Sequence, residues 1–278
     1  MSHPIGIFDS GVGGLSVVCH LQTLLPHEDL IYIADQAHVP YGSRSATEIR
    51  QFSTNITQHL LDLGSKLIVV ACNTATSIAI NHLRQTFPAV PFVGMEPAVK
   101  PAASHTRNGK IGVLATPGTF RSQRYATLIT RFAKQVEVWE DPCLGLVELV
   151  EAGKLDTPET EQLLTSVLSP MLAQGIDTLV LGCTHYPFVE PVIRRVLARA
   201  DSGGNSGRKT AVFLIDPAPA VARQTQRLLT QHNLHSASTQ PGNLQLLTTG
   251  TQNNLAQLSQ LMLNKTTSVQ QITLPIIN

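Results

Sequence analysis

Two cysteines stand out by what surrounds them. Cys72 lies in Val69-Val70-Ala71-Cys72-Asn73-Thr74 and Cys183 in Leu181-Gly182-Cys183-Thr184-His185, so each ends an apolar run and opens a polar turn. A thiol just ahead of a helix meets free N–H donors and the positive end of the helix dipole, which favour the thiolate. A lone free cysteine is more often a buried structural residue. Cys19, inside the apolar pattern Leu15–Leu25, and Cys143, with no polar constellation around it, read that way. The matched positions of Cys72 and Cys183 read instead as a reactive pair.

Competing chemistries are weaker. Cys72, Cys183 and His185 could supply three zinc ligands, but no Cys-x-x-Cys or His-x-x-x-His spacing supports a metal, so none is expected. The loop Gly11-Val12-Gly13-Gly14-Leu15-Ser16, with Asp35 ending a second apolar run, looks like a degenerate dinucleotide fingerprint. Ser16 replaces its third glycine, and Asp9-Ser10 puts a carboxylate where a pyrophosphate would approach. Those glycines read better as a tight turn and a close backbone approach to a small ligand. Asp9, Asp35, Glu151 and His185 are candidate acid–base helpers; Glu148 and Glu151 could equally lie on a solvated helix face.

The elements that must hold these residues alternate. Short apolar runs, most of them rich in β-branched residues, at Ile5–Phe8, Leu30–Ala34, Leu67–Ala71, Pro91–Gly94, Ile111–Ala115, Val136–Trp139, Thr178–Leu181, Ala211–Ile215 and Leu244–Leu247 predict strands, with helix-length patterns between most of them. The clearest helix is Ser45–Gly64, where Ile49, Phe52, Ile56, Leu60 and Leu63 share a face; Ser45 and Glu48 read as a capping box and Gly64 as a stop. Apolar strands alternating with helices imply parallel sheets covered on both faces.

An internal duplication is legible. Ile5-Gly6-Ile7-Phe8-Asp9-Ser10 is echoed by Ile111-Gly112-Val113-Leu114-Ala115-Thr116 at an offset of 106, and the two cysteines are offset by 111. The reading is therefore two related α/β units, each with a cysteine at the carboxyl end of a strand, where open α/β sheets bind ligands. The first domain is placed at 1–97 plus 210–278, and the second at 98–209. Asp201–Gly207 reads as a flexible linker, the Gln-rich stretch beyond Ala222 as solvated helix faces, and the last dozen residues as a tail.

Composition agrees with a soluble globular protein. At roughly 150 residues per domain, 278 residues suit two domains. Twenty Lys and Arg against 19 Asp and Glu leave a net charge of +1, which argues against a nucleic-acid or acidic-membrane footprint. A hydrophobic share of 42% can build a sizeable core, and four scattered cysteines make no disulfide scaffold. No apolar run spans a membrane and Met-Ser-His-Pro begins no secretory signal, so a cytoplasmic protein is expected.

At these residues the sequence resembles the glutamate racemases of the cofactor-independent aspartate/glutamate racemase superfamily. The motifs are Ile7–Gly14, Asp35 with Pro40-Tyr41-Gly42, Ala71–Thr74, Ala115–Thr119, Glu148–Gly153 and Gly182–Pro187, and the likeness covers about 5–220. The resemblance implies two pseudo-symmetric α/β domains facing each other, with the amino acid trapped in an active site between them. It implies no cofactor, L- or D-glutamate as substrate, a homodimer, and D-glutamate supplied for peptidoglycan. By resemblance, Cys72 and Cys183 are the two bases, assisted by Asp9 and His185 respectively. Asp9, Ser10, Pro40, Tyr41, Gly42, Cys72, Asn73, Thr74, Thr116, Thr119, Cys183, Thr184 and His185 hold the substrate, with Asp35 and Glu151 as auxiliary acids. An aspartate racemase and a non-catalytic nucleotide-binding regulator are the alternatives.

Overall fold

The computed structural model describes residues 3–202 and 211–274. Its strands are β1 (Ile5–Asp9), β2 (Leu30–Ala34), β3 (Leu67–Val70), β4 (Phe92–Gly94), β5 (Lys110–Leu114), β6 (Glu137–Asp141), β7 (Thr178–Leu181), β8 (Phe213–Ile215), β9 (Leu244–Thr248) and β10 (Val269–Gln271). Its helices are α1 (Leu15–Leu24), α2 (Ala46–Asp62), α3 (Asn73–Thr86), α4 (Val99–His105), α5 (Pro117–Phe120), α6 (Gln123–Phe132), α7 (Leu146–Glu151), α8 (Pro158–Ala173), α9 (Glu190–Ser202), α10 (Ala218–Gln231) and α11 (Gln252–Leu263). Among the described residues no helix is long and apolar enough to cross a membrane.

The chain divides into two compact units, Met1–Met95 with Ala218–Asn278, and Glu96–Pro217. The first holds a parallel sheet of order β10-β9-β2-β1-β3-β4. The second holds a parallel sheet of order β6-β5-β7-β8. With β5 set on β1 and β7 on β3, the four strands of the second sheet repeat the order β2-β1-β3-β4 of the first, as the duplicated motifs predict. Strands β9 and β10 extend the first sheet alone.

Three expectations need correction. Residues 211–217 side with the second unit and not the first, because β8 pairs with β7. Within the expected tail, Val269–Gln271 is a strand on the edge of β9; residues 275–278 lie outside the described residues. Of the expected linker, Asp201 and Ser202 belong to α9, and 203–207 lie outside the described residues.

Local sequence explains the elements that frame the site. Ser45 and Glu48 close the capping box of α2 reciprocally, at 3.2 Å and 2.9 Å, and Gly64 takes the left-handed φ of +83° past its end. The buried stripe Ile49, Ile56 and Leu60 packs into a cluster with Phe8, Ile33, Val70 and Tyr41. Each such side chain contributes about 1.5–3 kcal/mol on burial. In the second unit Ile111, Val113 and Val180 form the matching core under α4 and α6, with Val99 and Tyr125.

Candidate active site

In each sheet the strand order reverses between two neighbours, β1 and β3 in the first, β5 and β7 in the second. The carboxyl ends at such a reversal leave a crevice, since the connections depart to opposite sides. Asp9 ends β1, and Cys72 follows β3; Thr116 follows β5, and Cys183 follows β7. Both cysteines therefore stand at equivalent places of like-ordered sheets.

In the first unit Cys72 is itself the N-cap of α3. Its sulfur accepts the Ala75 N–H at 3.4 Å, and the thiol can donate to Ser10 Oγ at 3.9 Å. A 14-residue helix behind it presents its positive end, an arrangement that stabilises negative sulfur. Asp9 is fully buried and accepts the Gly11 N–H at 2.9 Å and the Ser10 hydroxyl at 3.4 Å. The glycine loop's donor is thus turned on a carboxylate, which disfavours a pyrophosphate there. Gly14 has a reason other than an approaching ligand: a Cβ there would lie 2.7 Å from the Tyr32 ring and 2.8 Å from Asp9 Cβ. The Tyr32 hydroxyl in turn donates to Gly11 O at 2.5 Å.

Asn73, first residue of α3, is buried, yet neither its amide nitrogen nor its oxygen has a hydrogen-bond partner among the described residues. Leaving a buried donor and acceptor unmade costs about 1–3 kcal/mol each, which marks this amide as a candidate contact for a polar ligand. Tyr41, in a 3-10 turn (Tyr41–Ser43) packed on α3, donates to Asp35 Oδ2 at 2.5 Å. Burial, and then the neighbouring Asp35 carboxylate, hold its phenol well above the usual range, so it stays a hydrogen-bond donor. Asp35 is buried and also faces Thr249 and His38.

In the second unit Cys183 precedes a 3-10 turn (Tyr186–Val189) rather than a regular helix. Here a side-chain pair takes the helix's place. His185 Nδ1 lies 3.7 Å from Cys183 Sγ, and its Nε2 lies 2.6 Å from Glu151 Oε1. Burial works against a charged imidazole, but hydrogen bonds to Cys183 and Glu151, and the negative charge of both, outweigh it. The result is a proton held well above the usual imidazole range. Thr116 caps α5 and shares a 3.3 Å hydroxyl contact with Thr119; Thr184, next after Cys183 in sequence, is buried. Gly182 is required because a Cβ would sit 2.6 Å from Leu114 O, where β7 closes on β5.

The structure therefore brings Asp9, Ser10, Asp35, Tyr41, Cys72 and Asn73 together in one unit, and Glu151, Cys183 and His185 in the other. Pro40 and Gly42 flank Tyr41, and Thr74 follows Asn73 in the first turn of α3. Glu148 is exposed whereas Glu151 is buried, which separates two residues that sequence left level. Among the described residues no cluster of three or more His, Cys, Asp or Glu side chains is placed to hold a metal ion. Thr249 and Tyr32 take part without having been expected; neither lies in a chemical motif.

Residues 16–225 match the Asp/Glu/Hydantoin racemase family. A glutamate racemase of Ectopseudomonas mendocina is 53% identical over 238 residues, 86% of each chain. One of Pseudomonas aeruginosa is 51% identical over 84% of each chain. The crystal structure of the Francisella tularensis glutamate racemase in complex with D-glutamate is 30% identical, with a TM-score of 0.82 over 98% of this chain and 97% of that one. The Escherichia coli glutamate racemase, solved with L-glutamate and the activator UDP-MurNAc-ala, is 32% identical, with a TM-score of 0.81 over 98% and 99%. With its folded units and its relatives in agreement, the chain belongs to the Asp/Glu/Hydantoin racemase family and is an isomerase.

Proposed function

We propose that this racemase interconverts L- and D-glutamate by cofactor-independent proton transfer at Cα, with Cys72 and Cys183 as the two bases. The observation that carries the reading is the repeated placement of a buried thiol at the reversal point of two like-ordered sheets. Inversion needs one base for each face of Cα, and each unit supplies one. A thiolate removes the α-proton, leaving the electron pair delocalised into the carboxylate. The opposite thiol then delivers its own proton to the other face. One sulfur ends protonated and the other ionised, and the states are exchanged for the reverse reaction.

In this reading Cys72 takes the proton from D-glutamate and Cys183 from L-glutamate. Asp9 and Ser10 serve the first sulfur, the His185–Glu151 pair serves the second, and Asn73, Thr74, Tyr41, Gly42, Thr116, Thr119 and Thr184 hold the substrate's charged ends. Glutamate is favoured by the names of the relatives and by the ligands of the two crystallised racemases. The D-glutamate formed would serve peptidoglycan synthesis in the cytoplasm, with the enzyme working as a homodimer.

The test is racemisation of L-glutamate in deuterated water without added cofactor. Solvent deuterium should enter the new enantiomer. Inversion without exchange, or a strict need for pyridoxal phosphate, NAD or a metal, rejects the mechanism. A higher kcat/KM for aspartate than for glutamate rejects the substrate.

A further inference from the structure

We propose that Thr249 is a positioning residue of the Cys72 half-site, holding Asp35 so that Asp35 in turn fixes the Tyr41 hydroxyl. The proposal rests on the racemase reading of that half-site and deepens it. Asp35 is fully buried, and three side chains converge on its carboxylate. Thr249 Oγ1 donates to Oδ1 at 2.7 Å, the Tyr41 hydroxyl donates to Oδ2 at 2.5 Å, and His38 Nδ1 lies 2.9 Å from both oxygens. With its lone pairs so engaged, Asp35 acts as an anchor and not as an auxiliary acid.

Thr249 does more than fill a site on Asp35. Its hydroxyl also accepts the Ala37 N–H at 3.1 Å, while its own N–H donates to Ala34 O at 3.1 Å. Next to it, Thr248 Oγ1 donates to Gln36 Oε1 at 2.8 Å. The end of β9 therefore grips every residue from Ala34 to Ala37, the start of the loop that delivers Tyr41. Tyr41 and Cys72 share one buried cluster, so a loosened Asp35 would be felt at the sulfur's surroundings. One hydroxyl both donates to Asp35 and accepts from Ala37, which a valine methyl cannot do. His38 is the lesser anchor, because its ring is 38% exposed and stacked on Phe52, where water competes.

Thr249→Val keeps the shape and removes both bonds; Thr249→Ser keeps both. The chain has four tyrosines, so protein labelled with ¹³C at tyrosine Cζ gives a spectrum in which Tyr41→Phe identifies the Tyr41 signal. Thr249→Val should shift that signal and lower kcat/KM for glutamate about 10- to 100-fold, the worth of one hydrogen bond to a charged group, with KM rising. Thr249→Ser should restore both. An unshifted Tyr41 signal overturns the proposal, whether or not activity falls, and so does a shifted signal with unchanged KM. If Thr249→Val does not fold, Thr249→Ala is read in the same way. The signal needs no substrate, so a wild type that fails to racemise glutamate sinks the functional reading while the spectrum still decides the role of Thr249.

Discussion

In the first unit the candidate base caps a helix, accepting the Ala75 N–H with its own sulfur; in the second it stands before a 3-10 turn and leans on His185 and Glu151. The strand order beneath them is the same. The repeated scaffold thus fixes where a thiol stands, while the groups set beside it differ. One unit offers backbone dipoles, which do not titrate, beside the Asp9 carboxylate. The other uses a buried imidazole, which does. The two halves should therefore respond differently to pH and to substitution.

The largest effects come from the sulfurs. Cys72→Ser and Cys183→Ser should each lower racemisation by at least about 10³-fold, within the range for a positioned acid–base group. Serine is a favoured N-cap, so Cys72→Ser should keep or raise the thermal midpoint, whereas Cys183→Ser gains no such compensation. Activity in both directions, together with thermal melts, checks this. Either variant turning over near the wild-type rate rejects the two-base assignment.

Next comes the titrating half. Glu151→Gln removes the charge that helps hold the proton on His185, so the imidazole should lose it at lower pH. If the imidazolium supports Cys183, the alkaline limb of the pH–rate profile moves down, and kcat falls about 10- to 100-fold. His185→Asn should flatten that limb. Asp9→Asn should slow the D-to-L direction more and His185→Asn the L-to-D direction more, read as unequal isotope effects with α-deuterated substrates. Stability carries the same signature. A raised imidazole value stabilises the fold fully below about 6.5, the unfolded value, and loses that contribution as pH rises through the folded one. The wild-type melting temperature should decline over that window more than that of His185→Asn.

A smaller effect is expected of Asn73→Ala, which removes the unpartnered amide. KM should rise about 10-fold, from one or two neutral hydrogen bonds of about 1 kcal/mol each, with kcat less affected. An unchanged KM would mean the amide does not meet substrate. Smallest on chemistry is Cys143→Ser. Burial, then the Asp141 charge, raise this thiol's proton affinity well above the usual range, so it is inert at neutral pH. A hydroxyl there should cost about 1–3 kcal/mol of stability and leave kcat within a factor of about two; Cys19→Ser should cost less, being only half-buried. A large loss of turnover in a well-folded Cys143→Ser would show that the second half-site has a further participant.

The sheets and the two sulfurs were legible because their signals are local. A short apolar run predicts its strand wherever it lands, and nine of the ten strands among the described residues carry one. Val269–Gln271 does not: two of its three residues are exposed glutamines, and only pairing to β9 makes it a strand. Glu151 could not have been told from Glu148 by helix phase, since residues three apart on a helix share a face; what sets it apart is its contact with His185, 34 residues away. Thr249 could not have been found. It reaches Asp35 from 214 residues away, and nothing in Thr248-Thr249-Gly250 announces a partner.

The return of the chain to its first sheet also orders synthesis. Residues 96–217 are continuous, so their four strands can close as soon as they leave the ribosome. The first sheet must wait, because β2 gains its outer neighbour, β9, only after that whole unit has emerged. Until then the nascent chain carries an open strand edge, a surface that invites wrong pairing. The usual order, amino-terminal unit first, is reversed: the unit that begins the chain is the last to be finished.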